Sequence, residues 1–119
     1  MIDDMLEAIV KIRRYTRGLS FREFTSDEKT IDAVVRNIEI IGEAANRVPR
    51  AIRKKHSEIV WHRVIGMRHR IVHEYFGIDK EIVWHVVTKD LIPLKKQLKE
   101  LREGLIDTED DRRERHKGE

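Results

Sequence analysis

Apolar residues recur every three or four positions through most of the chain, the repeat that gives a helix one buried stripe. Ile2, Met5, Leu6, Ile9 and Ile12 define a first helix, which Gly18 can stop. Thr25 or Ser26 caps a second, with Asp27 and Glu28 well placed in its first turn and Ile31, Val34, Val35, Ile38, Ile41 and Ala45 as its stripe. Pro49 ends that helix and opens a short one, RAIRKK. Ser57 caps a third long helix with Trp61, Val64, Ile65 and Val72 on related faces, and Gly77 terminates it or follows its end closely. Asp79 caps the last, which carries Ile82, Val83, Val86, Val87, Leu91, Leu94, Leu98 and Leu101, with Pro93 inside it and so a kink near Lys89 or Asp90. No segment reads as a strand.

Four long amphipathic helices and a short one predict an all-α, up-and-down bundle of four to five helices. The stripes are wide for so small a unit, and pairing with a second copy would cover the remainder, so a homodimer is expected. The stripe ends at Leu101, which places the domain at 1–103 and leaves 104–119 as a charged, flexible tail. No apolar run exceeds three residues and MIDDMLEAIVKI has none of the character of a signal peptide, so neither membrane spanning nor secretion is expected. Cysteine is absent, which removes thiolate chemistry and disulfides and is compatible with the cytoplasm as the expected location.

Charge changes this picture locally. The chain carries a net +3, yet the segment from Ala44 to Tyr75 holds eight Lys or Arg against Glu58 and Glu74. A basic concentration of this kind suits an anionic ligand such as nucleic acid, or simply a solvated helix face. Within it lies GMRHRIVHEYFGID, where Arg68, His73 and Tyr75 follow one another at gaps of four residues and one. Arginine grips phosphate through a planar fork, histidine exchanges protons near neutrality and a tyrosine hydroxyl donates or accepts. The set suits phosphoryl chemistry without a metal or other cofactor. On a straight helix, however, Arg68 and His73 would stand about 140° apart. The helix must therefore end near His73, or a second subunit must complete the site, and both together are expected.

These residues resemble the HEPN superfamily, and within it the HepT-like toxins of HepT/MntA-type toxin–antitoxin systems. The resemblance runs from MIDDMLEAIVKIRRYTRGLSFREF through DAVVRNIEIIGEAANRVP and WHRVIGMRHRIVHEYFGID to IVWHVVTKDLIPLKKQL. It implies a HEPN-like homodimer with a cleft between subunits, acting as a metal-independent RNA endonuclease in which the RNA 2′-hydroxyl attacks its own phosphate. In that reading His73 is the acid or base and Arg68 holds the scissile phosphate. It also implies a partner, an MntA-like minimal nucleotidyltransferase antitoxin that attaches AMP to Tyr75. A non-catalytic helical module that binds RNA, nucleotide or a nucleotidyltransferase is the alternative.

His69 departs from the family pattern, where a small polar residue commonly follows the arginine. It is a candidate second acid or base, or a structural hydrogen-bonding group. His69 and His73 also form an HxxxH pair of the kind that can hold a transition metal, but no third ligand accompanies them and no metal is assigned. Glu43 in GEAANR lies near an apolar stripe, where an unpaired charge is costly, and is expected to pair with and orient Arg68 unless it is simply exposed. Trp61 and Trp84 read as core anchors.

Overall fold

A computed structural model describes residues 1–73 and 75–117, with side chains as far as Leu105. The chain is all-α, as its periodicity dictates. Helix α1 (Ile2–Thr16) buries Met5, Ile9 and Ile12, and helix α3 (Glu28–Asn46) buries Ile31, Val34, Ile38 and Ile41, and the two stripes pack on one another as the most extensive helix pair. Between them sits a helix that periodicity alone did not announce, α2 (Phe21–Thr25). A capping box opens it: the Ser20 hydroxyl accepts from the Glu23 amide, and the Glu23 carboxylate accepts from the Ser20 amide. The reciprocal pair satisfies two amides that a five-residue helix cannot.

Asp27, rather than Thr25 or Ser26, caps α3, its carboxylate accepting from the Thr30 amide at 3.1 Å and the Thr30 hydroxyl at 2.6 Å. Pro49 opens α4 (Arg50–Lys55), which buries no residue. The expected third long helix is divided. Its first part, α5 (Trp61–Ile65), follows Val60 with no side-chain cap, so Ser57 does not have the role expected of it, and Gly66 separates α5 from α6 (Met67–Ile71). Two short strands then appear where none was expected, β1 (Val72–His73) and β2 (Gly77–Ile78), paired antiparallel with Val72 opposite Ile78 and His73 opposite Gly77. Pairs this short leave almost no alternating pattern to read.

Asp79 caps α7 (Lys80–His85) through the Ile82 amide, and α8 (Leu91–Lys117) is the final helix. The distortion expected from Pro93 is a π-helical turn over Val86–Asp90, in which the Leu91 amide reaches back five residues to the Val86 carbonyl. A proline ring collides with the carbonyl four residues earlier, here that of Lys89, and the wider turn relieves the collision. Helix α8 runs antiparallel to α1, with Arg102 reaching Asp3 at 3.2 Å, and closes the core through Leu91, Leu94, Leu98 and Leu101. The helical backbone continues beyond Gly104 to Lys117; the side chains from 106 onward, on which the expected tail rests, lie outside the described residues. No helix among the described residues is long and apolar enough to cross a membrane.

Candidate active site

The position of Arg68 follows from what its neighbours bury. Met67 and Ile71 pin α6 to the core, and the Trp61 indole N–H, bonded to the His56 carbonyl at 3.1 Å, fixes the start of α5. Arg68, next to Met67, is thereby carried outward along the flank of α3. There the backbones approach closely, because Gly42 has no side chain: a Cβ at that position would stand 3.0 Å from the Ile65 carbonyl oxygen. A glycine in a helix interior ordinarily destabilises by roughly 0.5–1 kcal/mol relative to alanine. Its presence in α3 is explained by the proximity of α5.

This approach decides which carboxylate Arg68 meets. Arg68 Nε donates to Glu39 Oε1 at 2.7 Å, and the second Glu39 oxygen accepts from Arg36 Nη1 at 3.2 Å. Glu43 stands one turn further along α3, where it is exposed and 3.8 Å from Arg36 Nη1. The expectation that Glu43 pairs with Arg68 is therefore overturned: the partner is Glu39. The Arg68 guanidinium, seconded by Arg36, holds the Glu39 carboxyl below its ordinary range despite partial burial. Glu39, Glu43, Asn46, Arg68 and His69 line an open cavity of about 210 Å³ over Gly42. Because Glu39 engages Nε alone, the two terminal nitrogens of Arg68 are not taken up by this contact and can receive an anion as a fork.

His73 lies beyond the end of α6. Val72 adopts φ −111° and ψ 116°, so the chain leaves helical geometry directly after Ile71, and the 140° separation of a straight helix does not apply. Both Arg68 and His73 are exposed, and no hydrogen bond joins them among the described residues. His73 Nε2 is 3.9 Å from Asp79 Oδ2, and the Asp79 amide bonds the Ile71 carbonyl at 2.7 Å, closing the hairpin behind it. Gly77 adopts φ +76°, a conformation that favours glycine, and allows the tight return. At the tip Tyr75 and Phe76 are 89% and 91% exposed. His69 stays on α6 while His73 is on β1, so the HxxxH pair does not share a helix face.

Sequence reasoning missed Glu39. Its signal was present, since Arg36, Glu39 and Glu43 recur at gaps of three and four and so share one face of α3.

Arg68 at the edge of an open cavity, His73 just beyond the end of α6 and the exposed Tyr75 two residues on thus lie along one segment of a helical domain. The profile of a family described as "Ribonuclease HepT-like" matches residues 5–101. The "Probable ribonuclease HepT" of Thermococcus cleftensis is 40% identical over 101 residues, covering 85% of this chain and 92% of its own. The "Putative RNase TTE0752" of Caldanaerobacter subterraneus is 42% identical over 85 residues, covering 71% of this chain and 76% of its own. A "Putative RNase" of Methanocaldococcus jannaschii is 35% identical over 106 residues, 89% of this chain and 85% of its own. No solved structure gives a significant match. The chain belongs to the HepT-like ribonuclease family.

Proposed function

We infer that the chain is a metal-independent endoribonuclease, the toxin of a toxin–antitoxin pair, working as a homodimer. The observation that carries this reading is the end of α6 at Ile71, between Arg68 and His73, which frees the two side chains from opposite faces of one helix. Arg68 binds the scissile phosphate through its terminal nitrogens, with Glu39 as a positioning residue. His73 accepts the proton of the RNA 2′-hydroxyl. The new O2′–P bond forms as the P–O5′ bond breaks, the leaving 5′-oxygen takes a proton from a second acid, and a cyclic phosphate end remains. His69, on the wall of the Arg68 cavity, is the candidate for that acid. The requirement for a neighbouring 2′-hydroxyl makes RNA the substrate.

Tyr75 is the proposed site of control. Its exposure leaves the hydroxyl open to a nucleotidyltransferase, and an attached AMP would add a negative charge where RNA phosphates must approach. The exposed Tyr75 and Phe76 also supply apolar surface for the shared cleft of a dimer.

The test uses total RNA in excess chelator, comparing wild type with Arg68→Ala and His73→Ala. Wild type is expected to cut and leave cyclic phosphate ends, and both variants to lose at least a hundredfold in rate. RNA left intact by wild type would instead favour a non-catalytic module. After coexpression with an MntA-like minimal nucleotidyltransferase, the intact mass should show nucleotide addition that Tyr75→Phe abolishes.

A further inference from the structure

We propose that the groove between α4 and the start of α5 is a docking site for single-stranded RNA, separate from the Arg68 cavity. The inference rests on the ribonuclease reading and extends it from the cleaved phosphate to the strand around it.

Helix α4 is anomalous for this fold, since it buries no residue and only Ile52 packs against the core. What it offers is charge. From Arg47 to Arg63 the chain has six Lys or Arg against Glu58 alone. Arg47, Arg50, Lys54, Lys55 and Arg63 make no ion pair among the described residues, whereas Arg36, Arg68, Arg70 and Arg102 are all matched to carboxylates. Like charges concentrated on a six-residue helix repel one another, and an anion that bridges them removes that repulsion.

The groove beside them, about 540 Å³, has Arg50 and Lys54 on its rim and Ile59, Val60 and Trp61 on its floor. Val60 is 46% exposed although it adjoins the buried Ile59 and Trp61. A cationic rim over an apolar floor is the combination that holds a single strand, with phosphates along the rim and unpaired base faces on the floor. Paired bases would not present those faces, and an A-form duplex is held chiefly through its phosphates and 2′-hydroxyls. The two sites lie on consecutive elements. The seven residues from Trp61 to Arg68, divided at Gly66, keep the two within roughly 25 Å of each other even at full chain extension, within reach of one strand.

The experiment measures anisotropy of a labelled twelve-nucleotide RNA with the His73→Ala protein, so binding is read without cleavage. Arg50→Gln, Lys54→Gln and Lys55→Gln are combined in one variant, and Arg13→Gln, Arg17→Gln and Arg22→Gln in a matched control, each checked for folding by circular dichroism. The α4 variant should weaken binding at least tenfold and reduce the slope of log affinity against log salt by about 2, at roughly 0.7 per phosphate contact on a single strand. The control should change affinity by less than threefold, and the single strand should bind at least fivefold more tightly than its duplex. Equal losses in the two variants, an unchanged affinity in the α4 variant, or no preference over duplex would overturn the proposal. Unchanged affinity would instead leave the cations to another anion, such as an acidic protein surface. Failure of the groove leaves the cleavage test of Arg68 and His73 standing, and failure of cleavage leaves the binding measurement intact.

Discussion

Glu39→Ala isolates the positioning of Arg68 from its charge. The contact is short, 2.7 Å, but Arg68 is half exposed, and pairs of this kind contribute about 0.2–1 kcal/mol to stability after screening. Removing Glu39 should therefore lower the melting temperature by no more than about 8 °C, taking roughly 4–8 °C per kcal/mol for a domain near this size. The effect on turnover should be larger. A free arginine carries about 2 kcal/mol of rotamer entropy, and if the carboxylate suppresses somewhat more than half of it, its loss returns about 1.4 kcal/mol to the barrier, a tenfold fall in kcat. Binding should move the other way. Loss of a carboxylate beside the phosphate site removes repulsion, so KM should stay level or fall. Glu39→Gln keeps an oxygen that can accept from Arg68 Nε, and should recover part of kcat. Steady-state cleavage of a short labelled RNA, with circular dichroism melts, reads each quantity. Wild-type kcat in Glu39→Ala, or a raised KM at unchanged kcat, would refute the positioning role.

The same carboxylate sets an acid limb. Arg68, with Arg36, lowers the Glu39 pKa in the folded state, so its contribution to stability is present above the ordinary glutamate value of 4.5 and is lost as pH falls through the depressed folded value; melts below pH 4.5 should show a smaller acid loss in Glu39→Gln than in wild type. Gly42→Leu should destabilise by on the order of 2 kcal/mol, because even a Cβ there would stand 3.0 Å from the Ile65 carbonyl; a normal melting temperature would contradict the close approach. Gly77→Ala should lose about 1 kcal/mol through its positive φ while meeting no new steric contact, and should speed amide exchange in the hairpin that carries His73.

Where the chain declares itself through burial, the sequence was sufficient. The stripes of α1 and α3, the stop at Gly18, the break at Pro49 and the Asp79 cap all follow from local chemistry and periodicity, and the structure has them where those signals fall. The α5–α6 region was legible only in part, because Gly66 divides a stripe whose spacing continues across it. Sequence geometry did require the motif helix to end near His73 or to be completed by a second subunit, and α6 ends two residues before it.

Glu39 marks what local reasoning could not reach. Residues 36, 39 and 43 share a face of α3, so periodicity permits either glutamate to meet an arginine on a neighbouring helix. The choice depends on axial register, meaning how far α5 and α6 lie along α3, and no local preference encodes that. Gly42 supplies the missing constraint. It permits the Ile65 carbonyl to approach α3, and Arg68, three residues beyond Ile65, meets the turn bearing Glu39 while Glu43 is left to Arg36. A bulkier residue at 42 should therefore do more than destabilise. By pushing α5 outward it should loosen the Arg68–Glu39 contact, so a Gly42 variant that still folds should share the kcat loss of Glu39→Ala, and combining the two should cost less than the product of their separate effects. Fully multiplicative losses would mean that the close approach and the arginine pair act independently.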